Sequence, residues 1–191
     1  MIDGKADWTK AQWRNAARQA RAGLSASEND HRIIISHFLK DIVSKYAPLV
    51  TSIYWPIGEE FDTKPLLKAM DEKGLGLALP RTTPGQRPMH FYSWNWGDPL
   101  ETGAFNLCEP PEDSHRICQP SLIVMPLLAF DRAGTRLGYG MGHFDATMAQ
   151  RKVPAIGLAY AEQEASHALP ADPHDHKLDA VLTPQGVIWF K

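Results

Sequence analysis

Residues 121–145 read SLIVMPLLAFDRAGTRLGYGMGHFD. LIVM, residues 122–125, is a continuous apolar run of strand length, as expected for a strand buried on both faces. Ten residues separate Met125 from Arg136. Three glycines follow at alternate positions, Gly138, Gly140 and Gly142, and a helix is predicted from His143 to Lys152. A buried strand, a glycine-rich connection and a helix are the parts of an α/β unit with a parallel sheet. Ligands in such sheets bind beyond the carboxyl ends of the strands, and the glycine loop lies in that kind of place.

The same alternation runs through the chain. Helices are predicted over 9–24, with Thr9 as N-cap, over 28–46 behind Ser27, and over 64–74 with Gly74 as the stop. Ile34, Ile35, Phe38, Leu39, Ile42 and Val43 recur at helical spacing in the second. Strands are predicted over 49–55, 75–80, 89–94, 154–160, 179–183 and 186–190, with a short helix over 161–168. Residues 95–120, rich in Pro, Gly and Asp, read as an ordered excursion over the surface. Most strands are continuously apolar, so the expected fold is α/β: a three-layer α/β/α sandwich around a mostly parallel sheet. The length of 191 residues fits a single domain, 1–191.

The formal net charge of −2 provides no global field toward nucleic acid or membrane, so any basic site must be local. The longest apolar run, 121–130, is about half of what spans a bilayer and contains Pro126. The opening MIDGKADWTK has no apolar signal region. A cytoplasmic location is expected, with Cys108 and Cys118 as free thiols. No nucleic-acid or membrane partner is expected.

Alternate glycines let backbone N–H groups converge on a ligand, and Arg136 adds a bidentate donor for phosphate. Asp145 is placed to hold a Mg²⁺ that bridges phosphates. The competing reading is a tight turn packed under a helix. The loop is neither a Walker A loop nor the dinucleotide fingerprint, whose spacings differ. Lys10, Arg14, Arg18 and Arg21 share a helix face, and no acid lies between Asp7 and Glu28 to balance them. An anion such as polyphosphate would benefit from that stripe, and an unbalanced helix is expected to be mobile until it binds one; a solvated face is the alternative. Glu59, Glu60 and Asp62 follow a strand end, where carboxylates bind a polar substrate or lie in an ordinary loop. Trp55 at the same edge is suited to stacking on a flat ring. His174, Asp175, His176 and Asp179 form a further polar cluster without zinc-type ligand spacing.

Taken together, these residues resemble the 5-formyltetrahydrofolate cyclo-ligase family. The resemblance is carried by PLLAFDRAGTRLGYGMGHFD (126–145), Lys10 with Arg14, Arg21, Glu60 with Thr63, Leu79-Pro80-Arg81, Glu109-Pro110, IGLAYAEQ (156–163), Leu169-Pro170, His174-Asp175 and Asp179. It implies a fold similar to ribose-5-phosphate isomerase and CoA transferases, and a monomer that acts on small molecules. It implies ATP-dependent cyclisation of 5-formyltetrahydrofolate, with ATP and Mg²⁺ required. Lys10 and Arg136 would act in catalysis. Lys10, Arg14, Arg136, Leu137, Gly138, Tyr139, Gly140, Met141, Gly142, His143 and Phe144 would hold ATP. Trp55 and Glu60, with residues 139–143, would bind the folate. Asp145 and Asp179 would hold Mg²⁺. Four positions depart from the family pattern: His143-Phe144 stands for Tyr-Tyr, Met141 for lysine or glycine, and Ala146 for arginine. A folate- or nucleotide-binding protein without turnover is the alternative. A sugar-phosphate isomerase or acyl-CoA enzyme is a second.

Overall fold

The computed structural model describes residues 1–103 and 106–190. Its centre is a seven-stranded sheet in the order β11-β10-β9-β6-β1-β2-β3. The strands are β1 (Val50–Ser52), β2 (Gly76–Arg81), β3 (His90–Ser93), β6 (Leu122–Met125), β9 (Ala155–Leu158), β10 (Ala180–Thr183) and β11 (Gly186–Trp189). The five inner strands run parallel. Both edge strands are antiparallel, β3 on β2 and β11 on β10, each joined to its neighbour in sequence. Every residue of β6, β9 and β10 is buried, as their apolar runs require.

One face is covered by α2 (Glu28–His37) and α4 (Lys64–Glu72). Ser27 and Asp30 close a capping box at the start of α2. The helix runs on through a π-helical stretch, Phe38–Val43, and ends in α3 (Ser44–Tyr46). Ile34, Phe38, Ile42, Leu66, Leu67 and Met70 pack on Leu79, Leu122, Val124 and Leu158. Each such buried side chain contributes about 1.5–3 kcal/mol. The other face is covered by α5 (His143–Met148) and by the connection after β6, through Leu127, Phe130, Phe144 and Met148.

That connection contains a hairpin, β7 (Ala129–Phe130) with β8 (Arg136–Leu137), which the sequence reading leaves as a loop. Buried Asp131 builds its turn, accepting the N–H groups of Ala133, Thr135 and Leu169. Helix α1 (Lys10–Arg21) sits on this hairpin through Trp13 and Ala17, its N-terminus closed by the Thr9–Gln12 capping box. A second small hairpin, β4 (Glu101–Thr102) with β5 (Cys108–Glu109), lies within the expected excursion. Of that stretch, residues 104 and 105 lie outside the described residues.

Two helix predictions need correction. The helix expected to reach Lys152 ends at Met148, because the N–H groups of Gln150 and Arg151 close back on carbonyls three residues earlier. The stretch 161–168 is only a 3-10 turn, Ala161–Gln163. Beyond it the chain is drawn out by bridges of Glu164 to Phe130 and Ala165 to Ile2. Cys108 and Cys118 are free. No helix among the described residues is long and apolar enough to cross a membrane.

Candidate active site

A cleft of about 430 Å³ opens at the carboxyl ends of β1, β2 and β6, within the usual range for small-molecule sites. Its lining includes Lys10, Arg14, Trp55, Glu60 and every residue from Arg136 to Asp145. One expected site residue is missing. Asp179 lies immediately before β10, at the opposite end of the sheet, where its carboxylate accepts the Ala155 N–H at 2.8 Å. It is therefore a strand-pairing residue and does not join Asp145.

The glycines have three separate reasons. A Cβ on Gly138 would stand 2.7 Å from Arg136 Nη1. Gly140 has φ +102°, and a Cβ there would meet Arg14 Cζ at 3.3 Å. Gly142 has φ +73° and begins α5. The loop thus bends through conformations that side chains rarely adopt, and two arginines pass close to it.

Arg136 is buried against the loop, and its Nη2 donates to Asp145 Oδ1 at 2.8 Å. Among the described residues its Nε has no hydrogen-bond partner although it is buried. The same Asp145 oxygen accepts the His176 N–H at 3.2 Å. Arg14 Nε donates to the Gly138 carbonyl at 2.9 Å, a bond that does not use its Nη donors. Lys10 Nζ donates to Asp172 Oδ2 at 2.7 Å and also bonds to Asp175. Burial tends to lower the Lys10 ammonium, but its bonds to Asp172 and Asp175 outweigh that and hold it above its ordinary value. Arg18, the remaining member of the stripe, is exposed, whereas Arg21 is buried.

Across the cleft, the loop after β1 presents Trp55 and Glu60. Thr63 Oγ1 bonds to the Tyr54 carbonyl at 2.7 Å, and the Tyr54 hydroxyl to the Phe61 carbonyl at 3.0 Å, which closes this loop on itself. Trp55 packs edge-on to Trp94 and nearly parallel to Trp96, at 5.8 and 6.5 Å between centroids. Glu60 is buried, and Oε2 accepts the Ile57 N–H at 3.0 Å. Burial pushes its carboxyl up, opposed by that N–H, by Tyr139 and by Arg21. His143 Nδ1 lies 2.8 Å from the Arg87 carbonyl.

Sequence reasoning finds most of this lining but assigns no role to Asp172 or Glu109. Asp175 it places in a polar cluster and in the family resemblance, without a role. Glu109 is buried with Oε1 on Thr82. Nothing in the local pattern signals these roles, because each depends on a partner distant in sequence.

The fold and the cleft define a class: an α/β protein with cations and a glycine loop on one wall and a buried carboxylate beside an indole on the other. Residues 7–184 match the model of the 5-formyltetrahydrofolate cyclo-ligase family. A 5-formyltetrahydrofolate cyclo-ligase of Mycolicibacterium smegmatis is 33% identical over 142 residues, 69% of this chain and 72% of that protein. One from Haemophilus influenzae is 26% identical over 182 residues, 91% of this chain and 96% of that one. The solution structure of Aquifex aeolicus 5,10-methenyltetrahydrofolate synthetase superposes with a TM-score of 0.79 at 28% identity, covering 95% of this chain and 93% of that one. The chain belongs to the 5-formyltetrahydrofolate cyclo-ligase family, and it is an enzyme.

Proposed function

We propose that this enzyme closes 5-formyltetrahydrofolate to 5,10-methenyltetrahydrofolate at the expense of ATP, releasing ADP and phosphate. The observation that carries the reading is the meeting of Lys10, Arg14, Arg136 and the glycine loop in the same cleft as Glu60 and Trp55. The names of its relatives support the folate half.

The formyl oxygen attacks the γ-phosphorus of ATP, and ADP leaves with the bridging oxygen's electron pair. The neighbouring secondary amine of the folate then attacks the activated carbon. Its N–H proton is lost, the carbon–oxygen bond breaks and inorganic phosphate departs, which closes the ring. Phosphorylation is what turns the formyl oxygen into a leaving group. Such transfers need positioning and charge neutralisation above all. Lys10, Arg14 and Arg136 supply charge to the phosphates, and the loop from Leu137 through Gly138, Tyr139, Gly140, Met141 and Gly142 to His143 and Phe144 encloses them. Glu60 accepts from the N–H groups of the pterin, and Trp55 packs on its ring.

The residues present fit a Mg²⁺ that arrives with the nucleotide. Among the described residues no three His, Cys, Asp or Glu side chains are grouped to hold a metal. Mg²⁺ commonly takes only one or two carboxylates, with phosphates and water filling its shell. Asp145 would hold it through Oδ2, since Oδ1 is committed. When bound, the ion neutralises charge on the transferring phosphoryl group.

Mixing the protein with 5-formyltetrahydrofolate, ATP and Mg²⁺ tests this by near-ultraviolet absorbance. Growth of the methenyl band only when all three are present is expected. Binding of both substrates without growth would instead leave a binding protein on the same scaffold.

A further inference from the structure

Beneath the cleft, α1 ends on a buried cation. Arg21 is 6% exposed, and its Nη1 donates to the Tyr139 hydroxyl at 2.7 Å. Its guanidinium also lies 5.5 Å from the Tyr139 ring centroid. The Tyr139 side chain in turn faces the Glu60 carboxylate in the cleft lining, close enough for each to shift the other's titration. A phenol has one proton to give. With Arg21 donating into its oxygen, that proton is directed at Glu60. The helix end, the glycine loop and the loop after β1 are thereby tied into one line of donors. Arg21 is not among the residues that line the cleft, so its effect on a ligand there must pass through another side chain.

We infer that Arg21 is a positioning residue for substrate recognition: through the Tyr139 hydroxyl it holds Glu60 in place and keeps it an acceptor for the N–H groups of the bound heterocycle. The inference rests on the reading of Glu60 as the pterin-binding carboxylate. Helix α1 also carries Lys10 and Arg14, so a single element serves both ends of the cleft. The charges act in the same sense. Burial pushes the carboxyl of Glu60 up, while Arg21 opposes it. Tyr54 and Tyr139 also face Glu60; both phenols are themselves pushed up, chiefly by burial, and stay neutral. Tyr160, beside Asp62 and Asp30, feels Arg21 as well. Arg21 is the cation these groups share. Without it the Glu60 carboxyl rises further and takes up a proton at higher pH.

The test compares Arg21→Met, Arg21→Lys and Tyr139→Phe in the full chain. Three readouts are used: the KM of each substrate, the pH profile of kcat/KM for the folate, and carbon-13 NMR titration of the Glu60 carboxyl without ligands. For Arg21→Met the folate KM is expected to rise about tenfold and the ATP KM to change less than about twofold. The acid limb of the profile and the Glu60 titration both move to higher pH, and Arg21→Lys returns them toward wild type. The double variant Arg21→Met/Tyr139→Phe is no worse than the more damaging single change, because the links are in series. An equal rise in both KM values, with limb and titration unmoved, would reduce Arg21 to a helix anchor and overturn the inference. A wild-type protein without turnover would defeat the proposed reaction instead. The NMR titration needs no turnover, and an unmoved Glu60 signal in Arg21→Met sinks the relay in either case.

Discussion

The Lys10 ammonium stands between the carboxylates of Asp172 and Asp175, 162 and 165 residues further along the chain. The basic stripe that looks unbalanced within its own helix is thus partly balanced by a distant loop. Arg14 and Arg21 are likewise held, by the Gly138 carbonyl and the Tyr139 hydroxyl. These contacts, with Trp13 and Ala17 packed below, anchor α1 on the rest of the fold. The helix expected to be mobile until it meets an anion has protein partners of its own.

The Lys10–Asp175 contact should make stability depend on pH. Burial pushes the Asp175 carboxyl up, but Lys10 and the Asp172 N–H outweigh it and hold it below the ordinary value of 3.8. A depressed carboxyl stabilises the fold above that ordinary value, and the contribution is lost as the pH falls through the folded value. Lys10 is raised above 10.5, so its share is present below that pH and lost above it. Asp175→Asn should melt about 2–4 °C lower than wild type at neutral pH, for a loss of about 1 kcal/mol. Thermal melts in acid should show this gap closing below pH 3.8; a constant gap would show that the charge is not what matters.

Gly140→Ala should strain the loop, at φ +102°, and press on Arg14. A cost of about 1–2 kcal/mol in stability is expected, together with weaker ATP binding. Gly138→Ala should act differently, by displacing Arg136 from Asp145. Its melting temperature should fall less than its nucleotide affinity. Calorimetric titration beside a thermal melt separates the two.

Gln163 is a buried tie behind the cleft. Its amide donates to the Leu127 and Leu128 carbonyls, and its oxygen accepts the Tyr160 N–H. Gln163→Leu leaves three buried backbone groups without partners, each costing about 1–3 kcal/mol unless water reaches it. Chemical denaturation should show a loss of at least about 2 kcal/mol. A loss under half of that would mean the connection after β6 is held by packing alone.

Asp145 and Asp179 should part company. Asp145→Asn is expected to raise the Mg²⁺ concentration needed for half-maximal activity about tenfold, because it weakens the carboxylate proposed to hold the ion. Asp179→Asn should leave that requirement unchanged while lowering the melting temperature, since it weakens the acceptor for Ala155. Equal Mg²⁺ shifts in both variants would return Asp179 to the metal.

The sequence alone determined what depends on neighbours in the chain. The apolar runs that became β6, β9 and β10, the period that placed Ile34, Phe38 and Ile42 on the core, and the Thr9 and Ser27 caps are local patterns with local causes. Gly140 and Gly142 were equally legible, because a backbone at positive φ selects glycine wherever the chain goes. Only the tertiary structure decided which charges meet. Asp175 turns toward Lys10 while Asp179, four residues on, turns to the Ala155 N–H, and nothing in that spacing distinguishes them. Arg21 reads as one more cation of a stripe until Tyr139 and Glu60 are brought beside it. The stretch after Ala161 has helical composition, yet bridges to Phe130 and Ile2 draw it out. Side-chain pairs more than a hundred residues apart are chosen by the packing of the sheet and its hairpins, and that packing is a property of the folded chain as a whole.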